Sequence, residues 1–286
     1  MMPHGIFLFM DIQFVCYNGE MISKDQPVLV AHNRSFKYGD GVFETMRWKA
    51  GHVVLSNYHF ERLFNSLKLI QVNTQFISPD LLMKAIEDLC ILNNCTNTAR
   101  VRLAVYRGED NNARYLIEAT LLEKTVGDWN EKGLTIDLHP YVRKACDAFA
   151  NLKTANYLPY VMAELYREER GLDECLVLNA FNNICDGSKS NIFLLFGKEI
   201  YTPALHQGCV NGVLRRFIID ELKKYSYTIK QTTVSVELLQ QADGVFLTNA
   251  IRGVKWVEVF REKNYTGTEA RNIYSIIDKT ISSNVC

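Results

Sequence analysis

The sequence predicts an α+β fold with mixed sheets, and three observations predict it. Hairpin signals crowd the first 55 residues, several segments carry apolar residues at helical spacing, and the second half mixes short apolar runs with helices without strict β-α alternation. At 286 residues the chain is long for one core and suits two domains. We expect a small N-terminal domain over 1–122, a polar connection over 123–133, and a larger C-terminal domain over 134–286.

In order, Val15 to Ile22 reads as a hairpin whose Asn18-Gly19 supplies the positive φ angles of a two-residue turn. A second hairpin pairs Gly41 to Trp48 with His52 to Leu55 around Lys49-Ala50-Gly51. Phe60, Leu63, Phe64, Leu67 and Ile70 predict a helix over 57–70, and Leu82, Ala85, Ile86 and Leu89 one over 79–92. Strands follow at 99–108 and 115–122. The second half predicts a strand at 134–138 and a helix at 157–170. Strands at 175–178, 192–196 and 200–202 lead to a helix at 212–225 and a strand at 227–234. A short helix and strands near 245–248 and 255–260 complete the reading.

Lys plus Arg equals Asp plus Glu, 32 against 32, so no excess charge calls for nucleic acid or an anionic membrane, and a small molecule is the expected ligand. Eight cysteines are scattered without a CxxC pair, which indicates neither zinc nor a disulfide framework and suits reduced thiols in the cytoplasm. "MMPHGIFLFMDIQF" lacks the basic start and the cleavage site of a signal peptide and reads as a ragged lead into the first strand. No segment approaches a membrane span.

Several groups suit chemistry, each with a plainer account beside it. Lys153, in "NLKTANYLPY", becomes an aldehyde-directed nucleophile if burial lowers its pKa; a solvated loop lysine is the plain alternative. Gly212 opens a helix whose first N–H groups, on Val213 and Leu214, can hold an anion, although Asn211 as N-cap explains the same residues. Arg62 lies beside an apolar helical stripe, either solvated or turned inward as a bidentate phosphate ligand. In "RVRLAVYRG", Val101, Leu103, Val105 and Arg107 share a face, so Arg107 is placed to hold a substrate carboxylate or else forms a salt bridge; Arg102 is on the other face. Asp186, in "CDGSKSN", reads locally as part of an Asp-Gly turn.

Together these stretches resemble the class IV aminotransferases, the fold-type IV enzymes that use pyridoxal phosphate. The likeness runs through "NRSFKYGDGVFETMR", "YHFERLFNSL", "KTANYL", "DGSKSNIF", "GVLR" and "FLTNAIRGV" in the family's order. The resemblance implies a Schiff base between Lys153 and the cofactor, with Lys153 then moving substrate protons. It implies that Arg62, the N–H groups of Val213 and Leu214, and the Thr248-Asn249-Ala250 turn hold the phosphate, and that Asp186 faces the pyridine nitrogen. Phe43, Glu44, Arg107 and Arg102 are the expected substrate-side residues. It further implies a cleft between two domains and a homodimer. Two positions depart from the family's pattern: Asp186 stands where Glu is usual, and Leu214 where many members have Thr. "QGCVNGVLRRF" and "TNAIRGV" are most similar to the 4-amino-4-deoxychorismate lyase branch. A D-amino acid or branched-chain aminotransferase is the alternative, and a non-catalytic binder of the cofactor a further one.

Overall fold

The structure, a computed structural model, describes residues 13–95 and 97–283. The expected lead into the first strand, over 1–12, lies outside the described residues. β1 (Phe14–Tyr17) and β2 (Glu20–Ser23) form the first hairpin, with Asn18 and Gly19 at φ 50° and 95°. A short α1 (Arg34–Tyr38), absent from the sequence reading, is capped by Asn33, whose side chain accepts from Phe36 N at 2.9 Å. β3 (Gly41–Lys49) and β4 (His52–Val53) follow, then α2 (Ser56–Leu69) and α3 (Pro79–Leu92). α3 begins where sequence chemistry puts it, with Pro79 in its first turn and Ser78 accepting from Leu81 N at 3.2 Å. β5 (Thr98–Arg107) and β6 (Ala113–Leu121) complete an antiparallel sheet, six-stranded among the described residues, in the order β2-β1-β6-β5-β3-β4.

One face of this sheet is consumed by the two helices. Val42, Met46, Val101, Leu103 and Val105 pack with Phe60, Leu63 and Leu67 of α2 and Leu82, Ile86 and Leu89 of α3 in one buried cluster. Alternation then leaves Phe43, Thr45, Arg100 and Arg102 on the opposite face, where register pairs Thr45 with Arg102 and Arg47 with Arg100.

After the polar stretch 122–133 comes β7 (Leu134–Lys144), which runs past its expected end because a register shift between Leu138 and Arg143 accommodates Pro140. α4 (Leu158–Glu169), β8 (Glu174–Asn179), β9 (Ile184–Gly187), β10 (Asn191–Phe196) and β11 (Glu199–Pro203) follow. Then come α5 (Val213–Leu222), β12 (Thr228–Thr232), α6 (Val236–Gln241), β13 (Gly244–Asn249), β14 (Gly253–Phe260), β15 (Lys263–Asn264) and α7 (Thr268–Ser283). The strands form a sheet of mixed direction, nine-stranded among the described residues, in the order β12-β11-β10-β13-β14-β7-β8-β9, with β15 on β14. α7 went unread although Ala270, Ile273, Ile277 and Ile281 make a buried helical stripe.

The Asp186-Gly187 pair is not a turn. Both residues belong to β9, with Asp186 paired to Val177 and Gly187 to Leu176, and Gly187 has no positive φ. Glycine is required here because a Cβ would strike the Ser190 hydroxyl and the Glu174 side chain. The chain reverses afterwards, over Ser188 to Ser190, held by Glu174: its Oε1 accepts from Ser188 N at 3.0 Å and its Oε2 from Ser190 Oγ at 2.9 Å.

β3 also binds the segment that leads from β7 into α4, at Lys153 to Ala155. Phe43 N donates to Lys153 O and Ala155 N to Gly41 O, both at 2.9 Å, and Val42 bridges Thr154.

Candidate active site

A cavity of about 370 Å³ lies where the uncovered face of the small sheet meets β9, β13 and the start of α5. Lys153 borders it, its Nζ 4.5 Å from the Phe43 ring centroid and 5.2 Å from that of Tyr157. Burial, reinforced by the Arg62 charge and opposed by Glu44 and Asp186, brings its pKa down to about 7. A large fraction of this amine is unprotonated at neutral pH, as a carbonyl-directed nucleophile requires.

Asp186 also reaches the cavity although only 1% exposed. Its Oδ2 accepts from Tyr160 Oη at 2.6 Å, Val210 N at 2.9 Å and Lys144 Nζ at 3.2 Å. Its Oδ1 accepts only from Asn191 Nδ2, at 2.8 Å, and so keeps a lone pair for a further donor. Tyr160 has its pKa pushed up by burial and then by Asp186, which keeps it a donor.

Arg62 does turn inward, but its fork is occupied by protein. Nε and Nη2 bind the two Glu44 oxygens at 2.7 and 2.5 Å, and Nη1 donates to Asn211 O at 3.1 Å. Arg62 borders the cavity with one N–H left on each of Nη1 and Nη2, so the Nε–Nη2 fork belongs to Glu44 and these two donors are what it can offer an anion. Glu44 is accordingly not a substrate-side residue. It points to the helix-covered face, 2% exposed, and also accepts from His59 Nδ1 at 2.6 Å. Burial alone would raise its pKa, but the Arg62 charge and His59 bring it to about 2.

Beyond Asn191, which links Asp186 to the start of α5, the wall is built for an anion. α5 starts at Gly212 with no capping side chain, so Asn211 is not its N-cap, and the N–H groups of Val213 and Leu214 have no intrahelical acceptor. A Cβ on Gly212 would push aside the Asn191 side chain, whose Nδ2 donates to Asp186 and Val210 O. The Thr248 hydroxyl, on a residue 2% exposed, borders the cavity without a partner. Asn249 and Ala250 lie alongside, in a turn where Asn249 Oδ1 accepts from Ile251 N at 3.0 Å and Arg252 N at 2.7 Å.

The arginines correct the sequence reading most. Arg107 is outside the cavity wall and closes the end of α2, donating to Ile70 O at 2.6 Å and Gln71 O at 2.9 Å while pairing with Asp40 at 2.9 Å. The salt bridge was the right alternative, because the face Arg107 shares with Val101 to Val105 is the one the helices cover. Arg102 is on the open face but stacks on Phe43 at 4.9 Å and pairs with Glu118 at 3.2 Å. Arg100, two residues earlier on that face, borders the cavity with Thr45. Sequence reasoning missed Arg100, Thr45, Tyr160, Lys144 and Asn191, whereas Thr248 was expected with Asn249 and Ala250 and borders the cavity with them. Strand alternation carried the signal for Arg100 and Thr45 alone.

The amino-transferase class IV family profile matches residues 41–258. The chain belongs to the class IV aminotransferases. The aminodeoxychorismate lyase of Bacillus subtilis (strain 168) is 30% identical over 260 residues, covering 87% of each chain. The D-alanine aminotransferase of Listeria monocytogenes serotype 1/2a is 25% identical over 247 residues, 82% of this chain and 83% of the other. The branched-chain aminotransferase of the thermophilic archaeon Thermoproteus uzoniensis, solved with norvaline, superposes with a TM-score of 0.84 at 22% identity, covering 94% of this chain and 95% of the other. As a class IV aminotransferase this chain is a pyridoxal-phosphate enzyme of fold-type IV architecture. Its cavity fits that cofactor: a low-pKa amine for the aldehyde, a carboxylate oxygen with a free lone pair for the ring nitrogen, and an orphaned hydroxyl beside an uncapped helix start for the phosphate.

Proposed function

We propose that this class IV enzyme is a 4-amino-4-deoxychorismate lyase, releasing 4-aminobenzoate and pyruvate. The likeness to the B. subtilis lyase, which runs through nearly the whole of both chains, carries the reading. Leu214 at the start of α5 agrees with it, since the backbone N–H groups and Thr248 supply phosphate donors without a hydroxyl at that position.

Pyridoxal phosphate, when bound, supplies the aldehyde for Lys153 and a ring that accepts electrons from the substrate carbon. Val213 N, Leu214 N, Thr248 Oγ1 and the Asn249-Ala250 turn hold the phosphate, with Arg62 adding positive charge at the wall. Asp186 Oδ1, which accepts only from Asn191 among the described residues, would hold the ring nitrogen in its protonated form. Lys144, Tyr160, Val210 and Asn191 hold that carboxylate in place, which is how an aspartate serves where glutamate is usual. With substrate bound, Lys153 Nζ would take the proton from the amine-bearing carbon and return one to the departing enolpyruvate. Phe43 and Tyr157 give the substrate ring an aromatic wall.

An aminotransferase acting on D-amino or branched-chain amino acids is the second reading, favoured by the D-alanine aminotransferase likeness. The two readings share Lys153 and Asp186 and differ in product. The deciding assay is pyruvate release from 4-amino-4-deoxychorismate against amino transfer from D-alanine and L-leucine to 2-oxoglutarate. Pyruvate release, abolished in Lys153→Ala, is expected; transfer without pyruvate release overturns the lyase reading.

A homodimer working in the cytoplasm belongs to this reading. Leu158, Val161, Met162 and Leu165 form an exposed apolar stripe along α4, which a second copy would cover, and the seven described cysteines are free thiols. No helix among the described residues is long and apolar enough to cross a membrane.

A further inference from the structure

Five cations border the cavity, Arg62, Arg100, Lys153, Lys189 and Arg252, against one carboxylate, Asp186. Three of the five are accounted for. Arg62 is bound by Glu44, Lys189 by Glu164 at 2.6 Å, and Lys153 is the nucleophile. Asp186 is itself paired with Lys144. The guanidinium groups of Arg100 and Arg252 meet no acceptor among the described residues.

These two arginines come from opposite walls. Arg100 stands on β5 of the small sheet, on the face the helices leave open, and Arg252 stands in the turn between β13 and β14 of the large sheet. Their surroundings add to the positive charge. Arg47 faces Arg100 in register, only 9% exposed, with its Nε unpartnered, and Asp128 and Asp278 are the acids that act on it. Lys255 lies where burial and then the charges of Arg252 and Arg47 push its pKa down against Asp128. A guanidinium has five N–H donors and no acceptor, and its planar fork matches a carboxylate. Arg100 is exposed and Arg252 half-buried, so water holds both forks until a ligand displaces it, and a ligand with one carboxylate can engage only one of them.

We propose that Arg100 and Arg252 are specificity-determining residues that each take one carboxylate of an amino substrate bearing two. The inference rests on the lyase reading in that 4-amino-4-deoxychorismate carries two carboxylates, and it names the side chains that recognise them.

Calorimetric titration of the pyridoxal-phosphate-loaded enzyme with 3-(carboxymethoxy)benzoate and 3-methoxybenzoate tests it, because the two probes differ by one carboxylate and neither has an amine. The dicarboxylate is expected to bind at least ten-fold more tightly. Arg100→Gln and Arg252→Gln each remove most of that preference, Arg100→Lys and Arg252→Lys recover part of it, and cofactor affinity stays within two-fold. With 4-amino-4-deoxychorismate the Gln variants lose catalytic efficiency chiefly through a raised KM. A dicarboxylate preference that is absent or survives both Gln substitutions overturns the proposal, as does an Arg252→Gln variant that loosens the cofactor instead. If the preference disappears as expected but pyruvate is never released, the carboxylate assignment stands and the lyase reading falls. If pyruvate is released and the preference persists, the reverse holds.

Discussion

Glu44 and Asp186 are both buried carboxylates tied to a cation, and they do opposite jobs. Glu44 is saturated on both oxygens by Arg62 and His59 and faces away from the cavity. Asp186 has three donors on one oxygen and a single donor on the other, and the open position borders the cavity. Burial and a salt bridge do not by themselves mark a working carboxylate; an unfilled lone pair beside a cavity does.

Asp186→Asn should break the comparison most strongly. It keeps the shape but removes the charge, so turnover of the loaded enzyme should fall by about 100- to 1000-fold, the range seen when one preorganised electrostatic partner is lost. Steady-state kinetics at saturating cofactor checks this. The companion substitution, Glu44→Gln, should act on stability first: it leaves Arg62 buried without its counter-charge and costs about 3 kcal/mol in denaturant unfolding. The Glu44 pKa, about 2 against an ordinary 4.5, gives a stabilisation present above about pH 4.5 and lost as pH falls through about 2. The variant should lack that acid limb.

The third test uses the amine between the two carboxylates. With a Lys153 pKa of about 7, the rate at which apoenzyme takes up pyridoxal phosphate should level off above pH 7 and fall about ten-fold per unit below it, followed by cofactor absorbance. Because this pKa is lowered, folding carries a penalty that is full below about pH 7 and fades as pH rises toward the unfolded value of 10.5. The smallest effect is expected from Thr248→Val. The hydroxyl has no protein partner, so apoenzyme stability should hold or rise, while cofactor affinity weakens by roughly five-fold, the value of about 1 kcal/mol for one hydrogen bond. Equilibrium dialysis measures it.

Local chemistry was legible in the sequence wherever neighbours in the chain are neighbours in space. α3 runs over the expected residues because its Pro, Ser cap and apolar stripe are all local, and Asn18-Gly19 makes the turn its φ angles demand. Asp186-Gly187 has similar turn chemistry and is strand, because what requires the glycine is Glu174 and Ser190, brought there by the fold. Lys153, Asp186 and the start of α5 were identified through the family's pattern and do meet at one cavity. Arg107 shows the limit. Alternation tells which side chains share a face, but which face the helices will cover is decided by α2 and α3, so Arg100 was passed over for an arginine that caps a helix.

The backbone link between Phe43 and Lys153 has a consequence for anyone who would dissect this enzyme. Lys153 is encoded after the polar stretch at 122–133, yet its carbonyl is fastened to a strand encoded before it. A cut in that stretch, however clean in sequence, would separate the lysine from its anchor. Residues 134–283 expressed alone should be a poor trap for aldehydes, and co-expression with the missing half should restore the reactivity. The two halves thus work as one unit, joined at the lysine by main-chain hydrogen bonds and elsewhere by side chains such as Arg62 and Glu61.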